Sequence, residues 1–298
     1  MKTMINFSTS PDDLMRYSSA DELQKFYQEY GCSGLELMPL GDPSAPQVHP
    51  DMIVGVHMCC LNDWMTCDRR LLLENYQKDL EYAKEVQAEY VVFHVTQVNM
   101  EECFTYKMHH TDEEVVDAAC ELINSLLDGK DYSFYFLMEN LWWPGLNLLR
   151  PSITRRLLTG IHYPKKGLML DTGHFLHTNL NLRTQKEALD NLHSMLDAHQ
   201  DLLFHIKGIH LNQSLTGEYV QAWLKHPQPL DSDPEKRSYQ YFEHVFQIDQ
   251  HLPFTEPDVQ KLIERISPLC LTYEYITKDK EEHRKYLQEG CRALFAIL

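Results

Sequence analysis

Nine side chains able to hold a metal ion lie at or just past the ends of hydrophobic runs: His57, His94, Glu139, Asp171, His174, His210, Asp249, His251 and Glu274. Six of them fall in successive runs. His57 lies in "IVGVHM" (53–58), His94 in "YVVFHV" (90–95), Glu139 in "YSFYFLMEN" (132–140), Asp171 in "KGLMLD" (166–171), His210 in "FHIKGIHLN" (204–212) and Glu274 in "CLTYEY" (270–275). Singly, each has an ordinary explanation. A strand-end aspartate commonly caps a helix, and a lone histidine is commonly a hydrogen-bonded rim residue. Six runs in succession ending this way point to a shared centre. Carboxylates mixed with imidazoles suit Mn²⁺, Zn²⁺ or Co²⁺ better than Ca²⁺ or a thiolate-bound structural zinc, and no cysteine occupies any of the nine positions. Such a centre, with one to three divalent ions, could stabilise an enediolate. Glu139 and Glu274 have the chemistry to move a proton between neighbouring carbons of a hydroxy-ketone. His57, His94 and His174, with Asp249 and His251 in "IDQHLPF", are candidates for additional metal or substrate contacts.

The elements that must position these groups follow from the hydrophobic pattern. Two further β-rich runs, "MINFS" (4–8) and "GLELM" (34–38), complete a set of eight. Amphipathic helix patterns separate most of them: "SADELQKFYQEYG", "LLLENYQKDLEYAKEVQ", "DEEVVDAACELINSLL", "QKEALDNLHSMLDAH" and "EPDVQKLIERI", with "KEEHRKYLQEGCRALFAIL" as a last helix. Doubly buried strands alternating with helices define a parallel sheet. Eight units over 298 residues, roughly 37 residues each, predict an α/β fold of the (β/α)₈ TIM-barrel type. A single domain over 1–298 is expected, with "PLGDPSAPQVHP" as a loop after the second strand and the polar segment 213–250 as a long insertion after the seventh. Active-site groups of such barrels project from the carboxyl ends of the strands. Parity agrees: Glu139 shares a face with Leu137 and Tyr135, Asp171 with Met169, and Glu274 with Thr272.

Composition narrows the partners. The formal net charge of −17, from 27 basic and 44 acidic side chains, disfavours a broad phosphate-backbone footprint and leaves only a local one open. No nucleotide-phosphate loop is present, and few basic residues lie near the strand ends. Arg183 sits in a loop, and Lys207, at opposite parity to His210, is expected to point out of the barrel. A small unphosphorylated carbohydrate-like substrate is preferred. The start shows no signal-peptide pattern and no run is long enough to span a membrane, so a cytoplasmic protein is expected. The eight cysteines contain no C-x-x-C pair and read as reduced core residues. Trp142 and Trp143, in "ENLWWPG" directly after Glu139, are candidates for an apolar wall against a sugar face; Trp64 reads as a packing residue. Glu36 could face the site or serve as a structural hydrogen-bonding group. His109, His110 and His283 are expected at the surface.

The set "MEN" (138–140), "LDTGH" (170–174), "GIHLN" (208–212), "DQHLPF" (249–254) and "YEY" (273–275) resembles the xylose isomerase-like TIM-barrel superfamily (AP endonuclease family 2) in order and spacing over nearly the whole chain. That group includes sugar and sugar-phosphate isomerases and epimerases, and the endonuclease IV family of abasic-site nucleases. In the epimerase branch the resemblance implies a single divalent metal on Glu139, Asp171, His210 and Glu274, proton transfer by the two glutamates, and a substrate contact from His174. In the endonuclease branch it implies a three-zinc cluster on all nine positions.

Other segments depart from the nuclease pattern. The early loops "NFSTSPDD" and "ELMPLGDPSAPQ" contain no Arg or Lys, where that branch carries basic and aromatic DNA-probing residues. The glycine-rich turn expected after the D-x-H motif is replaced by "LPFTEPD". A metal-dependent isomerase or epimerase is therefore the leading expectation. An endonuclease IV-like phosphodiesterase comes second, and a metal-retaining barrel that binds without turnover third.

Overall fold

The strand runs are rich in β-branched and aromatic residues buried on both faces, which suits a parallel sheet sheathed in helices. The computed structural model describes residues 1–40 and 45–295. Part of the loop expected after the second strand, and the last three residues of the final predicted helix, lie outside that range. The strands are β1 (Lys2–Ser8), β2 (Gly34–Met38), β3 (Ile53–His57), β4 (Tyr90–His94), β5 (Tyr135–Glu139), β6 (Lys166–Asp171), β7 (Ile206–Leu211) and β8 (Cys270–Tyr273). Every neighbouring pair is parallel, and β1 also pairs with β8, so the sheet closes in chain order into a (β/α)₈ barrel.

The helices begin where their sequences supply caps. Thr111 and Glu114 cap Asp112–Leu127 reciprocally, as Thr184 and Glu187 cap Gln185–Ala198; Asp68 accepts from the Arg70 and Leu71 amides at the start of Arg69–Glu85. Two departures from the sequence reading are local. β7 starts at Ile206 because Gln200–His205 wind into a 3₁₀ segment, and a helix not read from the sequence, Pro151–Gly160, fills the gap between β5 and β6.

The barrel interior is layered. Met4, Tyr90, Val92, Leu137, Met169 and Cys270 form a closed apolar plug. Gly55 makes room for the largest of them, since a Cβ there would lie 2.2 Å from Tyr90 Cζ. Immediately above the plug the register turns polar: Asn6 is level with Glu36, His94 with Glu139, and Asp171 with His210. The apolar helix faces pack in a separate, larger cluster outside the sheet.

Lys207 does not follow its expected parity. The β6–β7 register shifts so that Leu168 pairs with Ile206 but Met169 with Gly208, leaving Lys207 as the extra residue of a bulge. Its side chain crosses the inner side of Gly167 and lines the amino-terminal opening of the barrel with Tyr135 and Leu137, at the end opposite the polar layer.

The insertion after β7 is ordered by two helices, Gly217–Lys225 and Pro234–Ile248. They dock on the short helix Met100–Thr105, where Phe104 stacks on His244 and its carbonyl accepts from Trp223 Nε1 at 2.9 Å. No helix among the described residues is long and apolar enough to cross a membrane.

Gly55→Ala should destabilise the protein by about 1–3 kcal/mol through overpacking against Tyr90. Urea unfolding of the variant beside wild type measures this, and an unchanged midpoint would show that the plug is loosely filled.

Candidate metal centre

Glu139 sits at the middle of the polar layer with no exposed surface. Its Oε1 lies 3.1 Å from His210 Nδ1 and 3.2 Å from His174 Nδ1; its Oε2 lies 3.2 Å from His57 Nε2 and 3.3 Å from His94 Nε2. Burial alone would raise this carboxyl's pKa. The positive fields of His210 and His94, with hydrogen bonds from His174 and His210, outweigh it and hold the group well below the usual carboxylate range.

Asp171 has two tasks. Its Oδ1 accepts from the His174 amide at 2.6 Å, capping the short helix Thr172–Leu176, while its Oδ2 accepts from Asn212 Nδ2 at 2.8 Å and stands 3.9 Å from His210 Nδ1. Asn140 fixes the same residue through its backbone, accepting from the Asp171 amide and donating to its carbonyl, both at 3.0 Å. Gly173 is required by this crowding, since a Cβ there would lie 1.9 Å from Asn212 Oδ1. Burial, and then the neighbouring carboxylate of Glu274 working against His174, pushes Asp171 up to about 7.

The remaining candidates join the same network. Glu274 Oε2 lies 3.2 Å from His210 Nδ1 and 3.6 Å from His251 Nδ1. Asp249 Oδ2 receives His174 Nε2 at 3.0 Å and His251 Nε2 at 2.8 Å. Its position depends on the inserted helices: the Gln213 and Leu252 backbones exchange hydrogen bonds at 2.8 and 2.9 Å, and Ser214 Oγ accepts from the Gln250 and His251 amides. His251 adopts φ 47°, a left-handed conformation at a residue other than glycine, in the region whose sequence lacks the expected glycines. The structure thus brings all nine predicted positions together.

Four further groups have surroundings that the sequence alone does not assign. Glu36 faces inward, with Oε1 2.8 Å from His210 Nε2 and Oε2 accepting from Tyr90 and Thr272 hydroxyls at 2.7 and 2.8 Å. His177 places Nε2 3.2 Å from Asp249 Oδ1; its spacing of three from His174 is the available signal. Cys60 lies 3.7 Å from both His57 Nδ1 and His94 Nε2, and although desolvation raises its thiol pKa, His94 and His57 bring it down to about 6. It is one of three exposed cysteines, with Cys59 and Cys67, whereas the other five are buried as expected. His283 is buried, not superficial: it shares a helix face with Leu287 and Leu294, packs on Phe26 at 5.3 Å, and burial followed by the charge of Arg16 lowers it to about 3.

The tryptophans do not line the cavity above the centre. Trp143 is buried with Val98, Cys103 and Leu141, and Trp142 packs 5.4 Å from the His174 ring and 4.6 Å from His177. Trp142 supports the histidines from behind, with Trp143 packed against it; Phe246, Leu40 and Ile276 supply the cavity's apolar wall. Trp64 is a packing residue whose Nε1 donates to the Thr96 carbonyl at 2.6 Å.

One donor atom each from Glu139, Asp171, His210 and Glu274 lies within 4.8 Å of all the others. Glu274 Oε2 is buried and makes no hydrogen bond. Three carboxylates this close repel one another unless a cation or protons intervene. The donor set fits a divalent ion of the manganese, zinc or cobalt kind. The fold and this centre define a TIM barrel with a metal-competent mouth at the carboxyl ends of its strands.

The chain belongs to the xylose isomerase-like TIM barrel family, whose profile matches residues 4–294. No curated protein matches it. Among solved structures it is similar to a D-tagatose 3-epimerase-like protein (TM-score 0.55, 16% identity, 97% of this chain and 98% of the other). It is also similar to the IOLI protein with a bound zinc atom (0.58, 13%, 99% and 95%). Endonuclease IV from Thermus thermophilus is similar to the same degree (0.57, 13%, 99% and 99%). At these identities the likeness establishes the fold.

The histidines set the acid–base behaviour of the metal-free centre. His94 and His251 are each raised to about 9: the charge of Cys60 and then of Glu139 at His94, and the carboxylates of Asp249 and Glu274 at His251, outweigh the opposing effect of burial. Groups raised in the folded state stabilise it fully below about pH 6.5 and cease to do so as pH rises through about 9. Metal-stripped protein should therefore lose several degrees of melting temperature between pH 6.5 and 9. Added Zn²⁺ or Mn²⁺ should restore more stability at the alkaline end, where no proton need be displaced. Calorimetry across that range checks both, and a flat profile would remove the histidine–carboxylate pairs as the source.

Proposed function

We propose that this protein is a divalent-metal-dependent isomerase or epimerase acting on a small, uncharged carbohydrate-like substrate. One observation carries the reading: the four-donor group adjoins a cavity of about 440 Å³ that Glu274 lines and that offers no spare cation for phosphate. Arg16 is the one lysine or arginine among its described lining residues, and its guanidinium is already committed to Thr277 and Asp13. Asp12, Asp13, Glu36, Asp249 and Glu274 face the same space. The cavity falls in the size range of small-molecule sites, about 300–1,000 Å³. Its hydroxyl, amide and carboxylate groups, from Ser8, Ser10, Asn6 and Asp13, suit hydroxyl recognition.

In this reading Glu139, Asp171, His210 and Glu274 would hold one divalent ion, which when bound supplies Lewis-acid stabilisation of an enediolate. Glu274 would take the first proton in this reading; it borders the cavity and carries an oxygen without a hydrogen bond. His210 and His251 keep it ionised against burial, as a base requires. Glu139 does not line the cavity; it orients four imidazoles and is the second proton-transfer group assigned here. His174, which does line it, is a substrate contact.

A panel of unphosphorylated ketoses and polyols incubated with metal-loaded protein in deuterated water tests this, read as exchange of carbon-bound hydrogen. Glu274→Gln should reduce exchange by about 10²–10⁴-fold, and full turnover by Glu139→Gln would remove Glu139 from the proton transfers.

A second reading, an endonuclease IV-like phosphodiesterase, has one observation in favour: His57, His94, His174, Asp249 and His251 all converge on the four-donor group. The acidic cavity wall opposes it, since phosphodiester binding relies on lysine and arginine. Nicking of an abasic-site duplex without sugar exchange would establish it instead. Binding across the sugar panel with neither activity would leave a non-catalytic barrel.

A further inference from the structure

The amino-terminal opening of the barrel holds a second cavity, of about 780 Å³, which the apolar plug separates from the metal-competent mouth. Tyr90, Leu137 and Cys270 present the underside of the plug to it, and Tyr135 and Leu269 extend the apolar wall. The volume falls in the range of small-molecule sites, about 300–1,000 Å³. Two local features bring a cation into this recess. The β6–β7 bulge turns Lys207 inward, and Gly167 leaves room for its stem, since a Cβ there would lie 2.5 Å from Lys207 Cγ. The half-buried Lys207 ammonium has no hydrogen bond or ion pair among the described residues. The other lysines at this end are taken: Lys2 pairs with Glu89, Lys165 donates to the Ser133 carbonyl and Lys166 to the Ile161 carbonyl. Glu89, which Lys2 holds, is the one carboxylate among the described lining residues. The Tyr135 hydroxyl, in the same wall, likewise has no partner among the described residues. The positive charge is felt nearby, where burial and then the fields of Lys207 and Lys166 lower the pKa of His205.

We propose that this opening is a binding site for a small organic carboxylate with an apolar or aromatic body. Lys207 supplies the charged donor, and Tyr135 a hydroxyl that donates to the same head group. The body of the ligand lies against Leu137, Leu269 and the Tyr135 ring, beneath the plug. One free cation matches one negative charge, whereas a phosphate dianion finds no second lysine or arginine here, because Lys2 is held by Glu89. The two ends of the barrel therefore differ in the charge they accept: carboxylates surround the mouth, and an uncompensated ammonium faces the opposite opening. No residue lines both cavities. The inference stands on Lys207 and its recess and does not require the isomerase reading.

Isothermal titration calorimetry of the full-length protein with phenylbutyrate tests it. One molecule should bind per chain. Lys207→Met should weaken binding by about tenfold or more, the loss expected for a hydrogen-bonded charge, whereas Lys207→Arg should retain it. The uncharged probe phenylbutanol should bind wild type more weakly by about the same factor. A second measurement needs no variant: phenylbutyrate should slow acetylation of Lys207 by acetic anhydride severalfold, read by peptide mass spectrometry, while leaving exposed Lys186 unaffected. Absence of binding at millimolar phenylbutyrate, equal affinity for the alcohol, undiminished binding by folded Lys207→Met, or unprotected acetylation of Lys207 would each overturn the site.

Discussion

Everything at the mouth of this barrel depends on one buried charge. Glu139 is a carboxylate with no exposed surface, and burying an unpaired carboxylate costs several kcal/mol even after relaxation. Four imidazoles from β3, β4, β7 and the turn after β6 offset that cost, each with a nitrogen within 3.3 Å. The converse also holds. His57, His94, His174 and His210 are desolvated rings, each needing a nearby acceptor to keep its N–H satisfied. The side chains therefore stabilise one another around a point on the barrel axis, and moving any one strand would leave a polar group unpaired.

The plug beneath them is the complementary constraint. Tyr90 fills the space opposite Gly55 and turns its hydroxyl up to Glu36, whose other oxygen meets His210. A hydrogen-bonded path thus runs from the apolar layer to the candidate ligands. The polar layer has no freedom to settle deeper, and the donors are presented at a fixed height. Asp171 shows the same economy at the edge: one oxygen starts a helix, the other turns toward the donor group, and the helix it starts delivers His174 and His177 to Asp249.

Much of this is legible in the sequence because strand parity is a rigid rule. Once Leu137 and Met169 are assigned inward, Glu139 and Asp171 must follow two residues later at the carboxyl end. What escapes lies outside that rule. Lys207 falls on a bulge, which resets parity and depends on how β6 and β7 pair. Cys60 and His177 sit on turns whose path no periodicity describes. His283 does obey a helical period with Leu287 and Leu294, but a histidine amid charged residues reads as polar surface until the neighbouring Phe26 is seen beneath it. The tryptophans are adjacent in sequence to the right residue and face away from the cavity, because Trp142 packs on His174 and His177 and Trp143 packs against Trp142.

The insertion after β7 has a consequence for selectivity. Its sequence is that of a polar loop, yet its helices close one side of the cavity, contribute Phe246, and hold the Asp249–His251 turn by the Gln213–Leu252 pairing. The opposite side carries Asp12 and Asp13 from the short helix Pro11–Leu14 after β1, with Arg16 already paired to Asp13 and Thr277. A ligand entering between them meets carboxylates on both sides and an apolar edge on one. A phosphate group would enter against that field with no lysine or arginine left to receive it, whereas the hydroxyls of a neutral polyol can donate to carboxylates without penalty.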